Sequence, residues 1–300
     1  MSDVTYQIYP TLLDQWQRLC DCEMLAEQFW NIDEDGNYRL TPEELAADAE
    51  AELIATINRT KVFDTTLADR GTCFNDIIDE MVEGRYIGDA EAETRSLNGH
   101  DYTYSVELAK SVAEKLTDAV CQWKCEGVLS TRYGGVRLYG YIDYWRYNSV
   151  IDLKTTEKYD FGKYESHWQR FVYPWCLVQA GHEIDRMEFL VVVMTQQRKK
   201  GSAITGDIYT ESYTHSQAMA EAKLREVCEG FIGWLEINRD KLTNKKIFNE
   251  EEEGERKQLK NWAFGLESLT KRREWPYHAK RWKCVTTAHG GALFLTASSG

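Results

Sequence analysis

Asp143, Asp152 and Lys154 have the types and the spacing for hydrolytic chemistry at a metal ion. They lie in Leu138-Tyr-Gly-Tyr-Ile-Asp143-Tyr-Trp and, a few residues on, in Val150-Ile-Asp152-Leu-Lys154-Thr-Thr. Side chains alternate along a strand, so Ile151 and Leu153 fall on one side while Asp152 and Lys154 share the other. Asp143 stands in an otherwise aromatic and aliphatic run, where an isolated carboxylate is costly without a cation. A metal shared with Asp152 is its most economical partner, and hard oxygen ligands of this kind suit Mg²⁺ or Mn²⁺. Such an ion polarises a phosphoryl group and lowers the pKa of bound water; a neighbouring lysine orients that water or offsets charge in the transition state. The plainer alternative is an ordinary ion pair between Asp152 and Lys154 on a half-exposed strand.

The elements that must position these residues are readable around them. Strands are expected over 121–130, 136–146 and 149–155, with Tyr133-Gly134-Gly135 supplying the first turn. A helix follows over 162–181, then strands over 187–195 and 207–213 and a long helix over 217–238. Upstream, apolar residues at helical spacing predict helices over 11–30, 67–83 and 105–119. Three strands, a helix and a further strand make an α/β core, a mixed sheet flanked by helices.

Other motifs compete for a function. Asp33 to Glu44 carries oxygen ligands at several EF-hand positions, but Tyr38 stands where the loop requires glycine. The simpler reading is a turn, then a helix with Thr41 as N-cap, Pro42 at its first position and Glu44 closing a capping box. The eight cysteines are scattered without zinc-ribbon spacing, which predicts free thiols. His100 is expected in a loop, and His167 to be structural or to contact DNA backbone. The net charge of −13 opposes a general affinity for nucleic acid. The charge is uneven, however: Lys271, Arg272, Arg273, Lys280, Arg281 and Lys283 are interleaved with Trp275, Tyr277 and Trp282, a composition suited to phosphates and stacked bases or, equally, to a solvated face.

Gly140-x-x-Asp143, then Asp152-x-Lys154, then Gln169-x3-Tyr173 resembles the PD-(D/E)XK nucleases of the RecB and lambda-exonuclease branch. Arg70-Gly71-Thr72-x-x-Asn75 resembles the helix that carries a further metal ligand in that branch. The likeness covers roughly residues 68–195, with a similar N-terminal helix at 9–18. It implies a restriction-endonuclease-like core in which Asp143, Asp152 and the Leu153 carbonyl hold Mg²⁺ or Mn²⁺, Lys154 positions water, and Gln169 and Tyr173 orient Lys154 or contact DNA. Asn75 is a neutral and weaker ligand than the branch uses. Three assignments fit: Asn75 ligates through its carbonyl, Asp79 one turn on replaces it, or a single metal is held strongly. Arg70, Thr155 and Lys271 to Arg273 are the expected DNA contacts. Some relatives hold an iron–sulfur cluster on a closely spaced C-terminal cysteine trio; Cys176, Cys228 and Cys284 are far apart, so no cluster is expected.

The resulting expectation is a Mg²⁺-dependent exodeoxyribonuclease of DNA recombination, repair or phage DNA processing, cytoplasmic in a bacterial or phage-infected cell. Its partner is DNA, with a homo-oligomer or a recombination protein as further candidates and no membrane. The domains are read as a helical region 1–66 packed on the core, a nuclease core 67–240, and a C-terminal extension 241–300 bearing the basic and aromatic patch. A catalytically impaired DNA-binding protein of the same fold and a calcium-binding interaction protein are the rivals.

Overall fold

The computed structural model describes residues 4–61, 65–195 and 202–250. The basic and aromatic patch, including Lys271, Arg272 and Arg273, lies outside the described residues. The described part is an α/β fold built on a mixed six-stranded sheet. β4 (Val120–Thr131), β5 (Gly134–Arg146) and β6 (Ser149–Thr156) form an antiparallel meander. The crossover through α6 (Gln169–Gln179) then returns the chain to β7 (Arg186–Met194), parallel to β6, and β8 (Gly206–Thr214) closes that edge antiparallel. The strands fall close to their expected positions, whereas the helix expected over 162–181 is shorter and begins only at Gln169, after a run of turns.

The N-terminus differs from expectation. Val4–Ile8 forms β1, which pairs parallel with the first half of β5, Ile8 opposite Leu138. The N-terminal region is therefore not only helical; it contributes a strand to the central sheet. The expected helix over 11–30 is broken into α1 (Pro10–Cys20), α2 (Cys22–Ala26) and a single 3₁₀ turn at Phe29–Asn31. α3 (Pro42–Ile57) starts with the expected capping box between Thr41 and Glu44. Asp33 accepts backbone N–H bonds from Asp35 and Asn37, at 3.0 and 2.8 Å, and so closes a turn. Asn98 and Gly99, both at positive φ, connect β2 (Ala92–Leu97) to β3 (His100–Ser105). His100 therefore begins a strand and is not the loop residue anticipated.

Two layers of helix cover the sheet. α1, α3, α6 and α7 (Gln217–Ile237) bury one core cluster with Leu138, Val150, Phe189 and Val191. α4 (Thr66–Val82) and α5 (Val106–Lys115) bury the other with Ile151, Leu153, Leu190 and Val192. Successive residues of β6 and β7 thus alternate between two cores, as a strand covered on both faces must. At the C-terminal end, Ile247 and Phe248 join the first cluster, so the packed unit runs past residue 241. No helix among the described residues is long and apolar enough to cross a membrane.

Candidate active site at a fork in the sheet

β5 is the axis of the site. Its first half pairs with β1 as far as Leu138, and its last residues, Tyr144 to Arg146, pair with β6 along the same edge. Between them the edge forks, and Asp143 stands at the point where the β6 ladder ends. On the other edge, β4 pairs with β5 on both sides of Asp143, but Gln122, in register opposite it, has a φ of 51° and forms no ladder pair. The strand also changes the core it serves here: Ile142 belongs to the cluster under α6 and Tyr144 to the cluster under α4. Asp143 replaces the missing ladder bond, its Oδ2 accepting from the Leu153 N–H at 2.9 Å.

Asp152 and Lys154 project from the next strand on the α6 side. The Lys154 Nζ lies 2.7 Å from Asp152 Oδ2 and donates to Gln169 Oε1 at 2.6 Å. Gln169 Nε2 donates in turn to the Tyr173 hydroxyl at 3.2 Å. The one-turn spacing of Gln169 and Tyr173 brings both to one side of α6, as the sequence predicts. α6 does not begin until Gln169, so its first turn delivers the glutamine directly to the lysine. Gly140 explains the close approach: a Cβ there would stand 2.6 Å from the Tyr173 ring. The glycine of the Gly140-x-x-Asp143 motif thus admits the tyrosine of the Gln169-x3-Tyr173 motif.

Burial sets the electrostatics. Desolvation, reinforced by Asp152, pushes the Asp143 carboxyl up to about 8, against the opposing Leu153 N–H and Lys154. Burial alone would lower the Lys154 ammonium, but the two aspartates outweigh it and hold the lysine above its ordinary value. Lys154 is therefore a fixed cation between two carboxylates, and the site keeps room for one more positive charge.

α4 approaches from the opposite face. Gly71 packs on β6 so closely that a Cβ would lie 2.7 Å from Thr155 Oγ1. Two turns further on, Asp79 accepts from the Tyr144 hydroxyl at 2.6 Å and from Gln122 at 3.2 Å. Asn75 lies between these contacts, and its Oδ1 is buried with no hydrogen-bond partner among the described residues. Buried acceptors without partners are rare enough to require a reason. Asp79 is engaged by protein donors, whereas Asn75 is not. Arg70, expected at DNA, is instead buried under this packing and ion-paired to Glu157 at 2.9 Å. Thr155 faces Gly71 on the helix side.

One acidic neighbour escaped the sequence reading. Asp14 of α1 accepts the Trp168 N–H at 2.9 Å, just before α6, and burial raises its pKa although His167 and Lys154 oppose this. Asp14 and Arg18 have the i, i+4 spacing of a helical surface pair, but Arg18 reaches Glu52 at 3.2 Å. His167 packs edge-on against Tyr164 and Phe189, and burial lowers its pKa. Glu211 of β8, fully buried, accepts from Tyr159, Tyr213 and the Gly162 N–H and so pins the segment that leads into α6.

Among the described residues, no group of three or more His, Cys, Asp and Glu side chains is arranged to hold a metal ion. The seven cysteines described are free thiols. No family model and no curated protein matches the sequence. A solved structure described as the crystal structure of SSO0001 overlaps at 12% identity and a TM-score of 0.33, covering 75% of this chain and 76% of that one. Overlap at that level carries no argument about fold or function.

Proposed function

We propose that the chain is a divalent-metal-dependent deoxyribonuclease with a restriction-endonuclease-like core, an exonuclease on the PD-(D/E)XK pattern. The observation that carries this reading is Lys154, held at 2.7 Å from Asp152 and 2.6 Å from Gln169 beside Asp143 at the fork. A mere surface ion pair needs neither a half-buried glutamine to aim the lysine nor a second desolvated carboxylate next to it. The donor set fits a hard cation. Two carboxylates share one lysine in a desolvated site, the Leu153 carbonyl lies between Asp152 and Lys154 in sequence, and Asn75 Oδ1 is a buried acceptor that lacks a donor among the described residues. Mg²⁺ or Mn²⁺ held by Asp143, Asp152 and the Leu153 carbonyl, with Asn75 as the further oxygen, supplies Lewis-acid activation of the phosphodiester and of water.

The chain's own residues do the rest. Lys154, kept protonated by the aspartates, donates to the attacking water or to the developing charge on the phosphoryl oxygens. Gln169 and Tyr173 form a relay of hydrogen bonds that fixes the direction of the ammonium, and positioning of this kind is a large part of phosphoryl-transfer catalysis. Incubation of linear DNA with Mg²⁺ or Mn²⁺, alongside Lys154→Ala and Asp152→Asn, tests the reading: nucleotides are released by the wild type and not by either variant. Intact DNA under both metals, or cleavage surviving in the variants, would overturn it.

A second reading is a DNA-binding protein of the same fold with weak or absent catalysis. It is favoured by the neutral side chain at Asn75 together with the engagement of Asp79 by Tyr144 and Gln122, so that neither of the two candidate positions on α4 offers an unengaged carboxylate. In that case the linear DNA is bound but persists.

A further inference from the structure

Where β1 pairs with β5, the sheet buries only one side. Leu138 and Gly140 point into the core under α6, while the opposite side of β5 presents Arg137, Tyr139 and Tyr141 at every second residue. Beside them on β4 stand Val128 across from Arg137, Glu126 across from Tyr139 and Lys124 across from Tyr141. All three β4 residues are exposed, and Tyr141 is 60% exposed. Tyr9, at the end of β1, meets Tyr139 with ring centroids 5.9 Å apart. Arg59, at the end of α3, stands near enough to both to oppose the rise that burial gives their hydroxyls.

The charges on this strip are unbalanced toward the positive. Glu126 is matched by Lys124 at 3.2 Å. The guanidinium groups of Arg59 and Arg137 carry no hydrogen bond or ion pair among the described residues, whereas Arg18, Arg70, Arg95, Arg170 and Arg239 are all paired. Two unmatched arginines beside three tyrosines are a local exception in a chain of net charge −13. Along β5 itself, Arg137, Tyr139 and Tyr141 follow one another at about 7 Å per pair of residues, close to one nucleotide of an extended strand. The row stops at Tyr141, two residues before Asp143, where β5 changes the core it serves.

We infer that this open face of β5 and β1 is a track for single-stranded DNA, with bases stacked on Tyr141 and on the Tyr9 and Tyr139 pair and phosphates on Arg137 and Arg59. It runs along β5 toward Asp143 at the fork, on the side of the sheet opposite that from which Asp152 and Lys154 project. The assignment deepens the nuclease reading and rests on it for the direction of the strand. Aromatic side chains accept any base, and two cations give a phosphate track without sequence readout. Duplex DNA fits poorly, because paired bases expose no ring faces to Tyr141.

The test separates binding from cleavage. Fluorescence anisotropy of a fluorescein-labelled oligo(dT) twelvemer is followed with the full chain in EDTA, for the wild type, Tyr141→Ala, Tyr141→Trp and Arg59→Ala/Arg137→Ala. Tyr141→Ala weakens binding about tenfold, within the range of a lost stacking contact, and Tyr141→Trp restores it. The double arginine variant flattens the dependence of log K on log salt by about 1.4, at about 0.7 per phosphate contact on a single strand. Unchanged affinity in Tyr141→Ala and in the double variant, tighter binding of the same sequence as RNA or blunt duplex, or no binding by the wild type overturns the track. If the variants lose binding as expected but no Mg²⁺- or Mn²⁺-dependent cleavage exists, the track stands and the nuclease reading falls. If cleavage requires Lys154 but Tyr141→Ala binds and cuts normally, the track alone falls.

Discussion

Asp143 Oδ2 accepts the backbone N–H of Leu153 at 2.9 Å, across a gap where the ladder between their two strands has already ended. One carboxylate oxygen thereby closes the sheet at the fork and fixes the position of Leu153, whose neighbours Asp152 and Lys154 form the rest of the site. Structure and proposed chemistry share this bond. Asp143→Ala would leave a strand N–H without its partner as well as removing a ligand, so Asp143→Asn, which keeps an acceptor oxygen, is the informative substitution.

The stability of the metal-free protein should depend on pH through Asp143. Its carboxyl is raised to about 8 in the folded chain, mainly by burial, against about 3.9 when unfolded. The folded state therefore holds the extra proton between these values, and this group's contribution to stability falls as pH rises from about 4 to about 8. Thermal midpoints measured in EDTA across that window should decline more steeply for the wild type than for Asp143→Asn. Added Mn²⁺ should raise the wild-type midpoint at pH 8 and leave that of Asp143→Asn nearly unmoved. Parallel pH profiles for the two proteins would contradict this.

Gln169 acts through Lys154. Lys154→Ala should lower the cleavage rate by about 10²–10³-fold, the usual cost of a lost charge-stabilising donor. Gln169→Ala should cost about 10–100-fold, as the loss of a supporting contact does, with DNA affinity unchanged. Tyr173→Phe should fall between Gln169→Ala and the wild type, because it removes only the far end of the relay. Single-turnover rates in Mg²⁺ check the order. A Gln169→Ala rate equal to the wild type would mean that the lysine needs no guide.

The strand pattern around Asp152, the helical spacing of Gln169 and Tyr173 and the glycine before Asp143 were legible in the sequence, because each depends on local period and type. The fork was not. It arises from β1, only Val4–Ile8, pairing with a strand about 130 residues away in sequence, and nothing in a five-residue alternating run names its partner. The β2–β3 hairpin was missed although Asn98-Gly99 is a strong turn signal; its first strand is largely polar because it is mostly exposed, so the apolar pattern that would have framed the turn is absent. Asp14 carries no local signal: a lone acid on a helix four residues before an arginine has the spacing of any surface pair.

Gly71 sets the distance between α4 and β6. Gly71→Ala should destabilise by about 1–3 kcal/mol, since the new Cβ meets Thr155 Oγ1 at 2.7 Å. The clash is with a single hydroxyl, and Thr155 Cβ is already at an ordinary 3.9 Å. Gly71→Ala/Thr155→Ala should therefore recover the loss and gain from replacing a helical glycine, worth about 1 kcal/mol. Urea unfolding of the four proteins of the cycle measures the coupling. Additive effects of the two substitutions would show that helix and strand can part without the clash.

Asn75 decides whether the metal has a further oxygen ligand from α4. Its Oδ1 is buried and lacks a donor among the described residues, so a bound cation would satisfy it. Asn75→Ala should weaken Mn²⁺ binding about tenfold, within the range seen for lost supporting groups, and leave thermal stability in EDTA unchanged or higher, because an unsatisfied acceptor has been removed. Asn75→Asp should do the opposite on both counts. A buried carboxylate without a cation is costly, so the metal-free protein melts lower; with a third carboxylate in the proposed ligand set, Mn²⁺ binds more tightly and recovers the midpoint. Calorimetric titration with Mn²⁺ beside melting curves in EDTA separates the cases. If neither substitution changes Mn²⁺ affinity, Asn75 is not a ligand and the site rests on Asp143, Asp152 and the Leu153 carbonyl alone.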